Sequence, residues 1–108
     1  MIYELRIYTC LSGRMPALQK RFEEHTLTIW KRFGIRQVGF WTTVLGPDNN
    51  DLTYLLAWDS LAERERIWDA FMVDPEWVKA RTESERDGPI VATIASSILK
   101  PTKFSELK

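Results

Sequence analysis

The sequence predicts an α+β domain of the ferredoxin-like kind, βαββαβ, with a four-stranded antiparallel sheet and its helices on one face. Three observations carry this. Four segments have the residue types and period of strands, and the segments between them carry apolar residues at steps of three and four. Turn formers stand where the period changes: LSGR, GPDNND and DGP. The chain has 108 residues, the size of one domain, and no repeat or linker divides residues 1–108.

The elements follow in order. Ile2 to Cys10 is a strand, with Tyr3, Leu5 and Ile7 on one face and Glu4, Arg6 and Tyr8 on the other. Met15 to Phe33 is a helix; Pro16 suits its first turn, where no amide hydrogen is needed, and Gly34 is its stop. Leu18, Phe22, His25, Ile29 and Phe33 form its apolar stripe. Ile35 to Leu45 and Leu52 to Trp58 are strands joined by a hairpin loop. Ser60 opens the next helix as a capping box with Glu63, and Leu61, Trp68 and Met72 share one side of it, with Phe71 beside them. Asp74-Pro75 starts a short helix running to about Arg86. Ile90 to Leu99 is the last strand, ended by Pro101.

The last two strands are apolar on both faces, as in strands covered on both sides. Helices can cover only one face, so the other calls for a second sheet, and a homodimer packed sheet on sheet supplies it.

Composition narrows the function classes. Lysine and arginine number 15 against 15 acidic residues, so no excess positive charge is present to neutralise phosphates, and a nucleic-acid partner is not expected. The single cysteine, Cys10, excludes an internal disulfide and a multi-cysteine metal site, and it fits a reducing compartment. Glu4 and Arg6 stand where a signal peptide needs an apolar core, and no apolar run approaches the length of a membrane span. A cytoplasmic protein without a membrane partner is the expectation. Glycine-rich phosphate loops are absent.

The opening IYELRIYT, the long helix with a central histidine, the strand GFWTT, and above all YLLAWDSLAERERIW followed by DPEW resemble the NIPSNAP family, from Ile2 to about Leu99. The resemblance implies a dimeric α/β barrel, the broad fold of small antibiotic-biosynthesis monooxygenases and haem-degrading enzymes. It supplies no catalytic residue.

The candidate site residues come from the chain itself. His25, the only histidine, is a polar group in an apolar stripe, where burying an imidazole without good partners costs ~1–3 kcal/mol. It is therefore expected to line a cavity between the long helix and the sheet, as donor or general base, with Tyr3, Phe22, Tyr54 and Trp58 as ligand-binding walls. Trp68 and Trp77 read as core, with a cavity where the scaffold does not close as the alternative, and core packing also competes for His25 and Trp58. Glu4 and Arg6 read as a buried salt bridge, with polar contact to a ligand as the alternative. The run ERER, Glu63 to Arg66, reads as a partly solvated face. Three functions fit. The first is a protein binding a small apolar or aromatic molecule between sheet and helices, including a cofactor-free enzyme. The second is a non-enzymatic dimeric interaction module. The third is a haem-associated barrel with His25 as axial ligand. No cofactor and no metal is expected under the first two.

Overall fold

Strand β1 (Ile2–Cys10) lies inside the sheet and pairs antiparallel with two neighbours. Arg6 stands opposite Tyr54 of β3 (Asp51–Trp58) on one side and opposite Ser96 of β4 (Val91–Leu99) on the other. Strand β2 (Arg36–Thr42) pairs with the far side of β3, so the sheet order is β2-β3-β1-β4, all antiparallel. The expected ferredoxin-like α+β fold is the one the chain adopts. These positions come from a computed structural model describing all 108 residues.

The expected helix from Met15 to Phe33 is continuous but not uniform. It comprises α1 (Met15–Arg21), a π-helical turn (Phe22–Thr26) and α2 (Leu27–Phe33). In that turn the Leu27 N–H donates to the Phe22 carbonyl, five residues back, so the turn holds one residue more than an α-turn. Thr26, only 1% exposed, takes the inward position, and its hydroxyl donates to the Arg21 carbonyl at 3.3 Å. His25 is displaced to the exposed side. Gly34, at φ 76°, closes α2 in the left-handed conformation.

Helix α3 (Leu61–Met72) is capped as expected at Ser60, whose hydroxyl accepts from the Glu63 N–H at 3.1 Å. The Glu63 carboxylate reaches back one residue further, to the Asp59 N–H. The side of α3 that faces inward carries Trp68 and Phe71, whereas Leu61 is 61% exposed. Asp74 caps α4 (Pro75–Ser84) by accepting from the Trp77 N–H at 3.1 Å, and Arg32 of α2 holds the same carboxylate oxygen at 2.9 Å. The strand expected to reach Leu45 ends at Thr42, because Val44 and Leu45 stand clear of the fold at 99% and 97% exposure. No helix is long and apolar enough to cross a membrane.

One aromatic cluster fills the space between the long helix and the sheet. Phe22 and Trp30 of the helix meet Tyr54 at 5.6 Å each, and Phe40 stacks on Tyr54 at 4.7 Å and 23°. Leu18, Ile29, Tyr54 and Leu56 are completely buried. Beyond this packing, at the β2 edge, a cavity of about 320 Å³ opens between the long helix and the sheet, lined by Phe22, Leu27, Phe40 and Leu52 among others, but His25 is not on it. The opposite face of the sheet carries Leu5, Ile7 and Leu55, half-buried, with Trp41 52% exposed.

Two substitutions separate the inward and outward sides of the long helix. Leu18→Ala is expected to lower unfolding free energy by about 2–5 kcal/mol, the usual cost of an interior leucine truncation. His25→Leu is expected to stay within about 0.5 kcal/mol of the parent, as exposed substitutions do. Urea titrations followed by tryptophan fluorescence compare them; a large loss for His25→Leu would place the imidazole inside.

Candidate functional site

The face of β1 turned toward the helices carries charge. Glu4 has no solvent exposure, yet five donors converge on its carboxylate. Arg64 of α3 bonds both oxygens, Nε at 2.8 Å and Nη2 at 3.0 Å. Arg6 Nη1 donates at 3.0 Å, Trp58 Nε1 at 3.0 Å and Ser96 Oγ at 2.6 Å. Burial alone would raise the carboxyl pKa, but the hydrogen bonds from Arg64, Ser96 and Arg6 outweigh it and lower it to about 2. Glu4 is therefore an anion at any physiological pH.

Arg6 is the next link. Its Nε donates to the Tyr54 hydroxyl at 2.7 Å and its Nη2 to the Tyr8 hydroxyl at 3.2 Å. Its guanidinium carbon lies 4.6 Å from the centre of the Trp68 ring, a cation–π distance. Burial opposes the charge on Arg6, but the contacts with Tyr54 and Tyr8 prevail and its pKa is raised. Burial pushes the Tyr54 hydroxyl well above its ordinary value, so Tyr54 stays a neutral phenol.

This network forms one wall of a cavity of about 410 Å³. Arg6 and Tyr8 of β1 and Ile94 of β4 lie on the sheet side. Trp68, Phe71 and Met72 of α3 lie opposite, with Trp77 and Arg81 of α4, Glu85 just beyond it, and Arg21 of α1. The cavity exists because β4 is an edge strand that the helices leave uncovered: Ala92 to Leu99 are all exposed.

The expected site residues fall differently. Phe22, Tyr54 and Trp58 are on the helix side but are buried at 6%, 0% and 1% exposure as core, and Trp58 spends its indole N–H on Glu4. Tyr3 stands opposite Ala57 and Leu99 on the other face of the sheet, so it cannot share a wall with Tyr54. His25 lies in a polar surface groove with Lys20, Glu24, Glu83 and Asp87. A haem held axially by His25 does not fit, because that imidazole is neither in the cavity nor among apolar side chains. No group of three or more His, Cys, Asp or Glu side chains is placed to hold a metal ion.

Several cavity residues escaped the sequence reading. The alternation of β1 put Glu4, Arg6 and Tyr8 on one face, but not on the helix side in particular. Arg64 was read as part of a solvated run, whereas its side chain turns inward to Glu4. The i, i+3 and i+4 spacing of Trp68, Phe71 and Met72 was visible as a core pattern, and nothing in it marked the gap beside β4.

The Glu4 network sets an acid limit on stability. A carboxyl whose folded pKa lies near 2, below its usual 4.5, stabilises the fold fully above pH 4.5 and loses that contribution as pH falls toward 2. Unfolding free energy is expected to decline through that window, and Glu4→Gln should flatten the decline while lowering stability at neutral pH. Glu4→Ala, which strands Arg6 in the interior, is expected to cost about 3–5 kcal/mol. Urea midpoints measured across pH check all three.

Relatives are found in both sequence and structure. The NIPSNAP family profile matches residues 3–106. A NIPSNAP-family protein of unknown function from Agrobacterium tumefaciens is 30% identical, with a TM-score of 0.87 over 100% of this chain and 94% of that one. An uncharacterised NIPSNAP-domain protein from Burkholderia xenovorans is 25% identical, with a TM-score of 0.84 over 97% of this chain and 98% of that one. A putative antibiotic biosynthesis monooxygenase from Nitrosomonas europaea shares the fold alone, at 7% identity and a TM-score of 0.64, over 94% of this chain and 98% of that one. No curated protein matches the chain. With a family match over nearly its whole length and solved family members superposing end to end, the chain belongs to the NIPSNAP family.

Proposed function

We propose that the protein binds a small aromatic or apolar molecule in the cavity between β1, β4 and the α3–α4 pair. The observation that carries this reading is the cavity itself. At about 410 Å³ it falls in the size range of small-molecule sites. Its walls are mainly Trp68, Phe71, Met72, Trp77 and Ile94, with a few polar groups from the network beside them. Apolar walls with a small number of fixed polar groups are the usual make-up of such sites. The Glu4 network supports the reading because it fixes Arg6 and Tyr8 at the cavity wall before any ligand arrives. A cofactor-free reaction is compatible with this arrangement, and Arg6 and Tyr8 are the groups that would meet the substrate. The free, buried thiol of Cys10 suits a reducing compartment such as the cytoplasm.

The same reading includes a homodimer. Leu5, Ile7, Leu55 and Trp41 lie on the sheet face away from the helices, and a second copy presenting the same face would cover them. This is also the observation that favours the interaction-module reading, in which the dimer alone is the function. The two part on whether the cavity takes a ligand.

A dye-monitored thermal melt against a library of aromatic and apolar compounds tests the binding. A true ligand at about a hundred times its Kd is expected to add about 2.7 kcal/mol of stability. Ile94→Trp, which fills the cavity from the edge strand, is expected to abolish that gain; a gain that survives would put the ligand elsewhere. Sedimentation is expected to give twice the chain mass, and Leu5→Glu to give a folded monomer. A monomeric parent would contradict the sheet-on-sheet dimer.

A further inference from the structure

Charge is unevenly placed around the cavity. Arg6, Arg21 and Arg81 line it, against Glu85 alone. Behind the wall, Glu4 is shared between Arg6 and Arg64, so four arginines face two glutamates.

The donors are not all used. A guanidinium has five N–H groups, and Arg6 spends one each on Tyr54, Glu4 and Tyr8, leaving two. Arg21 is buried at 5% exposure; its Nη1 reaches Ser84 Oγ at 3.3 Å and Glu85 Oε1 at 3.4 Å, but its Nε has no acceptor. The indole N–H of Trp77, 7% exposed, also has none. Arg81, half-buried on α4, has no acidic partner for its side chain. A buried donor without an acceptor is costly and rare, and here two belong to residues lining one cavity.

The aromatic side chains add a second constraint. Arg6 lies over Trp68 at 4.6 Å and Arg21 over Trp77 at 5.4 Å, so each cation is held against an indole at the cavity wall. A ligand entering between these pairs meets ring surface and unspent N–H groups together.

We propose that the ligand is an aromatic acid, bound as its carboxylate, with the ring against Trp68, Phe71 and Trp77 and the carboxylate oxygens accepting from Arg21, Arg81 and the free N–H groups of Arg6. This deepens the proposed function and rests on its reading of the cavity as a binding site. A monoanion fits better than a phosphate dianion. Glu85, paired with Arg21, lies on the cavity and would repel a second negative charge. The arginine fork also matches a carboxylate's two oxygens.

Calorimetric titration of the full chain with naphthoate and cinnamate, each beside its neutral alcohol, tests the proposal. The acids are expected to bind about tenfold or more tightly than the alcohols, the scale of one charge-assisted hydrogen bond. Arg81→Gln, at a half-exposed position that leaves the fold intact, is expected to weaken the acids about tenfold and leave the alcohols unchanged. Arg21→Gln should do the same if its thermal melt shows it folded. Alcohols binding as well as the acids would overturn the carboxylate assignment while the cavity reading stands. Acids that bind equally to the parent, to Arg81→Gln and to Ile94→Trp would place the anion site elsewhere and also overturn it. No binding by acids or alcohols at about 1 mM would remove the cavity reading and this inference with it.

Discussion

The structure depends on one buried carboxylate. Glu4 sits in β1, which pairs with both β3 and β4, and its five hydrogen bonds come from β1, β3, β4 and α3. A charge removed from water is tolerated only when it is paired and its remaining lone pairs are filled. Each partner of Glu4 is thereby fixed in place. Arg64 draws the first turns of α3 onto the sheet, Trp58 is locked at the end of β3, and Ser96 ties in the edge strand. Such a network is a poor way to gain stability compared with an apolar core, but it holds its members in one arrangement, and here that arrangement is the wall of the cavity.

Two further features decide where the cavity lies. On the side of β3 and β2, Phe22, Trp30, Phe40 and Tyr54 pack closely, and what stays open under the long helix is a smaller space of about 320 Å³ at the β2 edge, away from His25. On the side of β4 the helices stop short, and the strand is exposed from Ala92 to Leu99. The π-helical turn contributes by exchanging His25 for Thr26 on the inner face. A hydroxyl that can bond its own backbone is satisfied there without a partner from the sheet. The imidazole, free of that duty, faces solvent.

Much of the fold was legible in the sequence because the signals are local. Ser60, Asp74 and Gly34 mark helix ends through capping chemistry that needs only neighbouring residues, and the structure uses all three. The alternation of Tyr3, Leu5 and Ile7 against Glu4, Arg6 and Tyr8 is likewise local, and it holds. The site was less legible because it depends on two things a single chain does not display. One is the inserted residue of the π-turn, which shifts the helical period and turns the apparent stripe Leu18–Phe22–His25 into Leu18–Phe22–Thr26. The other is the incomplete cover of an edge strand, which follows from how α3 and α4 sit on the sheet. Tyr3 and Tyr54 both read as possible walls until the register placed them on opposite faces. The NIPSNAP assignment, carried by IYELRIYT and the segment from Tyr54 to Trp77, stands on the family match over residues 3–106.

The central claim is that aromatic ligands enter beside Trp68 and Trp77. The chain's five tryptophans give five indole N–H signals in a nitrogen–proton correlation spectrum, one per position. Titrating an aromatic ligand into labelled protein reads the site directly. The account predicts that the Trp68 and Trp77 signals move while that of Trp30, inside the closed core, and that of Trp41, on the opposite face, stay in place. Movement of Trp41 or Trp30 with Trp68 and Trp77 unchanged would contradict it.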